Sequence, residues 1–332
     1  MSERMDRMKG GIDRVQRRVA PLAFVAGVFK KFGEDRAGQL AALVAYYGFF
    51  SLFPALLSLV TILGFVLQDR PDLRDNIVDS ALGQFPVIGE SLTNADQPLT
   101  GNPAGIILGL LIALWAGLAA MQAAQDAVNA TWDVPRIEHP SFLHKRLRSL
   151  LMLIVLGGLL IGTTALTQTL AAIEVIGPVS RALFIAGSLV LTAAVFMVAF
   201  RVLTVAEVTW KQLIPGSIVA GVGYMGLQLI GQWYLRRVIN NAEDTYGTFA
   251  IVIGLLTWLY LLAQMTMLGA EVNVVAARHL WPRSLFGPPA TEADRVSLES
   301  QVKAGQLAED MEVEVTFSGS TPVKGPEDAA PR

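Results

Sequence analysis

The sequence predicts an all-α polytopic membrane protein with six transmembrane helices, both termini in the cytoplasm and a first span kinked at Pro54. Three observations predict it. Hydrophobic residues make up 53% of the chain against 16% charged, they gather into six long runs, and Lys and Arg fall almost entirely into one set of the loops between those runs. Crossing a hydrocarbon core of ~30 Å takes ~20 mostly apolar residues. The runs at residues 38–67, 105–130, 148–172, 181–203, 213–236 and 247–277 all meet that length.

The chain opens with Arg4, Arg7, Lys9, Arg14, Arg17 and Arg18, with no apolar run and small-residue cleavage site directly behind them. No signal peptide is expected, and the first span stays as an anchor. Within the basic cytoplasmic segment 1–37, residues 12–33 read as an interfacial amphipathic helix. Val15, Val19, Leu22, Phe29 and Phe32 share a face while Arg14, Arg17, Arg18, Lys30 and Lys31 stay in water near anionic lipid headgroups, and Pro21 divides the segment. The first span carries Pro54, which frees a backbone carbonyl and bends the helix there. The outer loop 68–104 is acidic, and Leu73, Ile77, Ala81 and Phe85 recur at steps of four as in a surface helix. The transmembrane domain is expected over residues 38–280. Residues 281–332 are expected to form a cytoplasmic tail, disordered from about residue 284 because Pro, Gly, Ser and acidic residues dominate it.

Orientation follows from the basic residues, which are retained on the cytoplasmic side of short loops. Nine precede the first span, four lie between the second and third, two around the fourth-to-fifth turn and six beyond the last, 21 in all. The opposite side holds five: Arg70, Arg74, Arg181, Arg236 and Arg237.

Polar side chains inside a span are costly, so they mark either contacts between helices or a pathway. The first span carries Tyr47, Ser51, Pro54, Ser58 and Thr61 on one face, the second Gln122, Gln125, Asp126 and Asn129, and the third Thr164, Thr167 and Gln168. The fifth carries Ser217, Gly221, Tyr224, Gln228 and Gln232, and the last Thr257, Gln264 and Glu271. Turned inward, these faces line a polar centre. The hydroxyl residues are better read as interhelical contacts. Asp126, Arg201 and Glu271 fall about one turn inside the cytoplasmic boundary, which suggests either a charged cluster at the mouth of a cavity, with Arg201 partnering one or both acids, or three side chains that snorkel separately to the headgroups. Gly105-x-x-x-Gly109 and Gly158-x-x-x-Gly162 permit close helix packing.

Enzymatic chemistry is not expected. The sequence has no cysteine, and its three histidines, His139, His144 and His279, lie in loops or at a helix end, which leaves no paired metal ligands on a span. No Gly-rich phosphate loop ending in Gly-Lys-Ser/Thr occurs. No cofactor, catalytic residue or metal site is predicted, and no nucleic acid is among the expected partners.

Several stretches resemble one family of bacterial inner-membrane proteins, the YihY/BrkB family. They are Ala45-Tyr46-Tyr47-Gly48-Phe49-Phe50-Ser51-Leu52-Phe53-Pro54, Asn129-Ala130-Thr131-Trp132, Ile214-Pro215-Gly216, Tyr246-Gly247-Thr248-Phe249-Ala250, Trp258-Leu259-Tyr260 and Leu268-Gly269-Ala270-Glu271-Val272-Asn273. The likeness covers roughly residues 24–280 and adds Asn273 to the site candidates. Thr204-Val205 departs from the Pro-Asn that many members carry before the fifth span. The resemblance implies a poorly characterised function, with some members linked to export of lipid precursors and others to serum resistance. The expectation is therefore a transporter or flippase for a lipid or other amphiphile, with membrane lipids as partners. The alternative is a scaffold for envelope proteins. Oligomeric state stays open.

Overall fold

The structure, a computed structural model, describes residues 11, 13, 15–66, 103–138, 141–171, 178–234, 248–287, 290–308 and 310–317. Among them the chain forms helices and no strand. Eight α-helices follow one another: α1 (Ala20–Glu34), α2 (Ala37–Val66), α3 (Pro103–Thr131), α4 (Phe142–Ala171), α5 (Pro178–Leu203), α6 (Trp210–Tyr234), α7 (Thr248–Arg278) and α8 (Glu292–Lys303). The surface helix expected around Leu73 to Phe85 lies outside the described residues.

Helices α2 to α7 are 25 to 31 residues long, so at ~1.5 Å per residue even the shortest reaches about 38 Å. Such runs become helices because no water inside a bilayer is available to satisfy backbone amides, and a helix satisfies its own. Four have described residues long and apolar enough to cross a membrane: Ile107–Thr131, Ala182–Leu203, Trp210–Gly231 and Val252–Arg278. Ala37–Leu52 is a shorter apolar stretch of α2. The helix boundaries lie close to the runs read from sequence. The largest difference is at α4, which begins at Phe142 and carries His144, Lys145 and Arg146 on its first turns. Helix α2 continues through Pro54 as one element.

The six long helices pack in chain order, each on the next, and α7 closes the ring by packing on α2. Helix α7 also touches α1 and α3, and residues 269–275 are buried all round, the pattern of a central helix. The largest apolar core among the described residues lies at the end of the bundle where α1 docks, where Val28 of α1, Val128 of α3, Trp132 just past α3, Met152 of α4, Phe200 of α5, Leu213 of α6 and Val274 of α7 meet.

Close approach occurs where α6 crosses α7. A Cβ on Gly216 would sit 1.9 Å from the Gly269 carbonyl oxygen, and one on Gly269 would sit 2.7 Å from the Gly216 carbonyl. The expected close-packing pair Gly158 and Gly162 instead has open space around it. Glycine spacing within one helix does not reveal which glycine faces a neighbour.

Two expectations at the chain ends change. Helix α1 starts at Ala20 with Pro21 in its first turn, after a break at Val19, so the proline does divide the segment. Its polarity is arranged differently, however. Val15, Val19, Leu22, Val25 and Phe29 are exposed, whereas Lys31 is fully buried. The apolar stripe faces outward, as expected, and the lysine, expected in water, turns into the protein. The tail from residue 281 is not disordered throughout. Residues 292–303 form α8, opened by a capping box between Thr291 and Asp294. Composition misled here because the segment is ordered by buried ion pairs, which leave no apolar periodicity.

Substituting Gly216→Ala is expected to push α6 and α7 apart and lower stability by roughly 1–3 kcal/mol. Gly48→Ala, in open space, should be neutral or slightly stabilising. Thermal unfolding of the two variants in detergent measures the difference.

Candidate functional site

The predicted site residues divide into groups that the fold keeps apart. Asn129, fully buried on α3, accepts from the Val205 amide at 2.6 Å through Oδ1 and donates to the Leu203 carbonyl at 3.4 Å through Nδ2. It therefore fastens the turn that follows α5. Arg148 of α4 fastens the same turn by donating to the Val202 and Thr204 carbonyls. Thr204-Val205, where the family resemblance was weakest, thus has its backbone tied from two neighbouring helices. Asn273 does the equivalent work for α6, with Oδ1 accepting from the Gly216 amide at 2.7 Å just after Pro215. Two stretches that carry the resemblance, Ile214-Pro215-Gly216 and Leu268–Asn273, are in direct contact.

Other candidates are used locally or stand on different faces. Ser51 donates to the Gly48 carbonyl of its own helix, and Ser217 to that of Leu213. Gln125 donates to Ser149 across the α3–α4 contact. Gln228 donates to the Tyr224 hydroxyl at 2.7 Å, and the Tyr224 ring lies edge-on to Phe196 of α5. Gln264 is half-buried, and a Cβ at Gly38 would come within 3.9 Å of its Nε2. Tyr47 is exposed beside Tyr46, and Gln122 is half-buried. The side chains of Pro54, Ser58, Thr61, Thr164, Thr167, Gln168 and Gln232 lie outside the described residues.

The expected cluster of Asp126, Arg201 and Glu271 does not form. Asp126 is half-exposed and pairs with Lys145 at 2.6 Å. Arg201 lies near the like-charged Arg148, and among the described residues no carboxylate pairs with it. Glu271 is buried and faces Lys31 at 4.0 Å. Equal depth on three helices did not bring the groups together, because each helix presents its charge in a different direction around the ring.

What the structure assembles instead is a charge network between α1 and the C-terminal ends of α3 and α7. Lys31 Nζ bonds Asp35 at 2.5 Å, approaches Asp133 at 3.4 Å and reaches toward Glu271. Burial pulls the Lys31 ammonium pKa down, but Glu271, Asp133 and Asp35 outweigh it and hold the pKa above the ordinary lysine value. Burial pushes the Asp133 carboxyl up, and Asp35 adds to this against the pull of Lys31 and Arg278. Arg278, the last residue of α7, donates to Asp133 at 3.0 Å and to the Trp132 carbonyl at 2.6 Å, with its guanidinium over the Trp132 ring. Three non-glycine residues near this network, Arg36, Asp133 and His279, have left-handed backbone. Each costs ~1–2 kcal/mol and persists only where surrounding contacts hold it.

A second network joins the N-terminal segment to α8. Arg283 is fully buried and donates to Asp294 and Glu34, while Lys30 donates to Asp294 and to the Ser284 carbonyl. Burial alone raises the Asp294 pKa. The bonds from Lys30, Arg283 and the Thr291 and Ser284 amides outweigh it and hold the carboxyl far below the usual carboxylate range. Sequence reasoning missed Lys31, Asp133, Arg283 and Asp294. The one signal available was a charged residue every few positions in segments otherwise read as solvated.

Long apolar helices packed in a ring, with the described ion-pair networks gathered at one end of it, define a polytopic α-helical membrane protein. Residues 28–293 match the family described as Virulence factor BrkB, and the chain belongs to that family. It is 24% identical to the ribonuclease-like protein YfkH of Bacillus subtilis over 76% of this chain and 95% of that one. It is 24% identical to the inner membrane protein YhjD of Escherichia coli over 80% of this chain and 84% of that one. A UPF0761 membrane protein of Nitrosospira multiformis is 24% identical over 79% of this chain and 62% of its own length. No solved structure matches the chain.

Two outcomes test the networks. Lys31→Met leaves three buried carboxylates sharing Arg278 and should cost roughly 3–5 kcal/mol, read as a lowered unfolding temperature. Asp294 has a depressed pKa, so its contribution is complete above its unfolded value of ~3.9 and is lost as pH falls below it. Acidification through that range should therefore release α8, and protease cleavage between residues 284 and 291 is the measurement.

Proposed function

We propose that this protein is a bacterial inner-membrane transporter or flippase for a lipid or other amphiphile. It crosses the membrane six times through α2 to α7, with both termini in the cytoplasm. The observation that carries the reading is the partly buried Tyr224–Gln228 pair, two polar groups held within a span at the α5–α6 contact. Half-buried Gln122 and Gln264 on other helices add polar surface at membrane depth. Such groups lower the cost of moving a headgroup through a medium where an unbonded polar group is costly. The basic excess on one side supports the topology, and the inner-membrane relative supports the location.

A second reading is a scaffold that does not transport and instead recruits envelope machinery. It draws on the ordered cytoplasmic end, where Leu298, Val302, Leu307 and Met311 are exposed on and just beyond α8. The two readings separate in liposomes. Purified protein should move fluorescent phospholipids between leaflets, and Tyr224→Phe combined with Gln228→Leu should slow this at least tenfold. Leu298→Glu combined with Val302→Glu should leave the rate unchanged. No movement across a panel of headgroups, with the protein shown to be folded, would sink the transport reading and favour the scaffold.

A further inference from the structure

The two charge networks at the cytoplasmic end differ in balance. In the network that holds α8, Lys30 and Arg283 face Glu34 and Asp294, two charges of each sign. Around Lys31, three carboxylates share two cations: Asp35, Asp133 and Glu271 against Lys31 and Arg278. The three acids are dry, with side-chain exposures of 3%, 4% and 0%. Neither oxygen of Glu271 accepts a hydrogen bond. Lys31 Nζ stands beyond hydrogen-bond reach of it, and Asp35 and Asp133 also face it.

A surplus negative charge in so dry a place is strongly disfavoured, and ionisable groups there shed it by changing protonation. One added proton makes the five groups neutral. It also supplies a donor among carboxyl oxygens that otherwise only accept. Lys31 is held in its charged form by its neighbours, so the proton resides on the acids. Because the three acids interact strongly, it belongs to the set and not to one member. A metal ion would have to displace the Lys31 ammonium, which already occupies the centre of the acids.

We propose that Lys31, Asp35, Asp133, Glu271 and Arg278 form a proton-binding site that holds one proton while α1 is docked and releases it when α1 lifts from the bundle. Lys31 and Asp35 leave together with α1. Asp133, Glu271 and Arg278 then meet water, where carboxylates ionise in their ordinary range. The docked state therefore binds one proton more than the lifted state, and rising pH favours lifting by up to about tenfold per pH unit. This coupling holds whatever cargo the protein carries.

The absence of cysteine makes the test clean. Single cysteines are placed at Val28, 3% exposed against the core, and separately at Gly33, exposed with open space around it. Maleimide labelling of the full-length protein in detergent is followed against pH, and the ratio of the two rates cancels the common ionisation of the thiols. With the native cluster the ratio is expected to be flat at low pH and then to rise about tenfold per pH unit. Glu271→Gln and, separately, Asp133→Asn each make the cluster neutral without a proton and should give a flat, low ratio. Asparagine tolerates the left-handed backbone at residue 133, so that variant decides the matter if Glu271→Gln does not assemble. A native ratio that stays flat with pH would overturn the proposal. So would a carboxamide variant that frees α1 at neutral pH, because an ionised carboxylate would then be what holds Lys31.

Discussion

A single buried ammonium, that of Lys31, organises one end of this protein. Lys31 projects into the protein from α1, whose other face leaves Leu22, Val25 and Phe29 exposed, continuing the exposed Val15 and Val19 that precede the helix. Because Lys31 meets acids from the α3 terminus and from α7, docking of α1 fixes two helix ends at once. Arg278 ties those same ends through Asp133 and Trp132. Lys30 and Glu34, on the neighbouring turn of α1, take up Asp294 and Arg283. The N-terminal and C-terminal segments are thereby held to each other as well as to the bundle.

Among the described residues the largest apolar cluster gathers at this end of the bundle, and a smaller one around Phe49, Leu227, Leu255 and Trp258 lies farther along it. Toward the hydrocarbon, apolar side chains gain little by packing on each other because lipid is an equivalent solvent. The described helices accordingly leave Ile107, Leu108, Leu111, Trp115, Leu183 and Val190 exposed. At the end where α1 docks, water is excluded by the core around Val128, Phe200, Leu213 and Val274, and charges there are worth more to one another. The asparagines fit the same logic. Asn129 satisfies backbone groups at the end of α5 and Asn273 one within α6 beside Pro215, where a buried unpaired amide or carbonyl would cost ~1–3 kcal/mol.

The residues that carry the family resemblance are therefore in large part residues that close helix ends and allow close crossings. Gly216 and Gly269 let backbones meet, Asn273 bridges them, and Glu271 projects from the same turn into the charge network. Polar residues outside these duties, Tyr224, Gln228, Gln264 and Gln122 among them, are the ones left to line a path.

By itself the sequence determined the helical class, the boundaries of the long helices to within a few residues and the break in the chain that precedes α1 beside Pro21. It did so because apolar run length and proline geometry are local properties that act along the chain. It also named Asn129, Glu271 and Asn273 as residues of consequence. Only the tertiary structure decided their partners, as when Glu271 met Lys31, 240 positions earlier, and Asp126 and Arg201 stayed apart. It likewise turned Lys31 inward and ordered α8 through Asp294 and Arg283. The physical reason is that charge pairing depends on the rotation and depth of each helix in the ring. Those are set by packing at crossings such as Gly216 on Gly269, and no periodicity within a single segment encodes them.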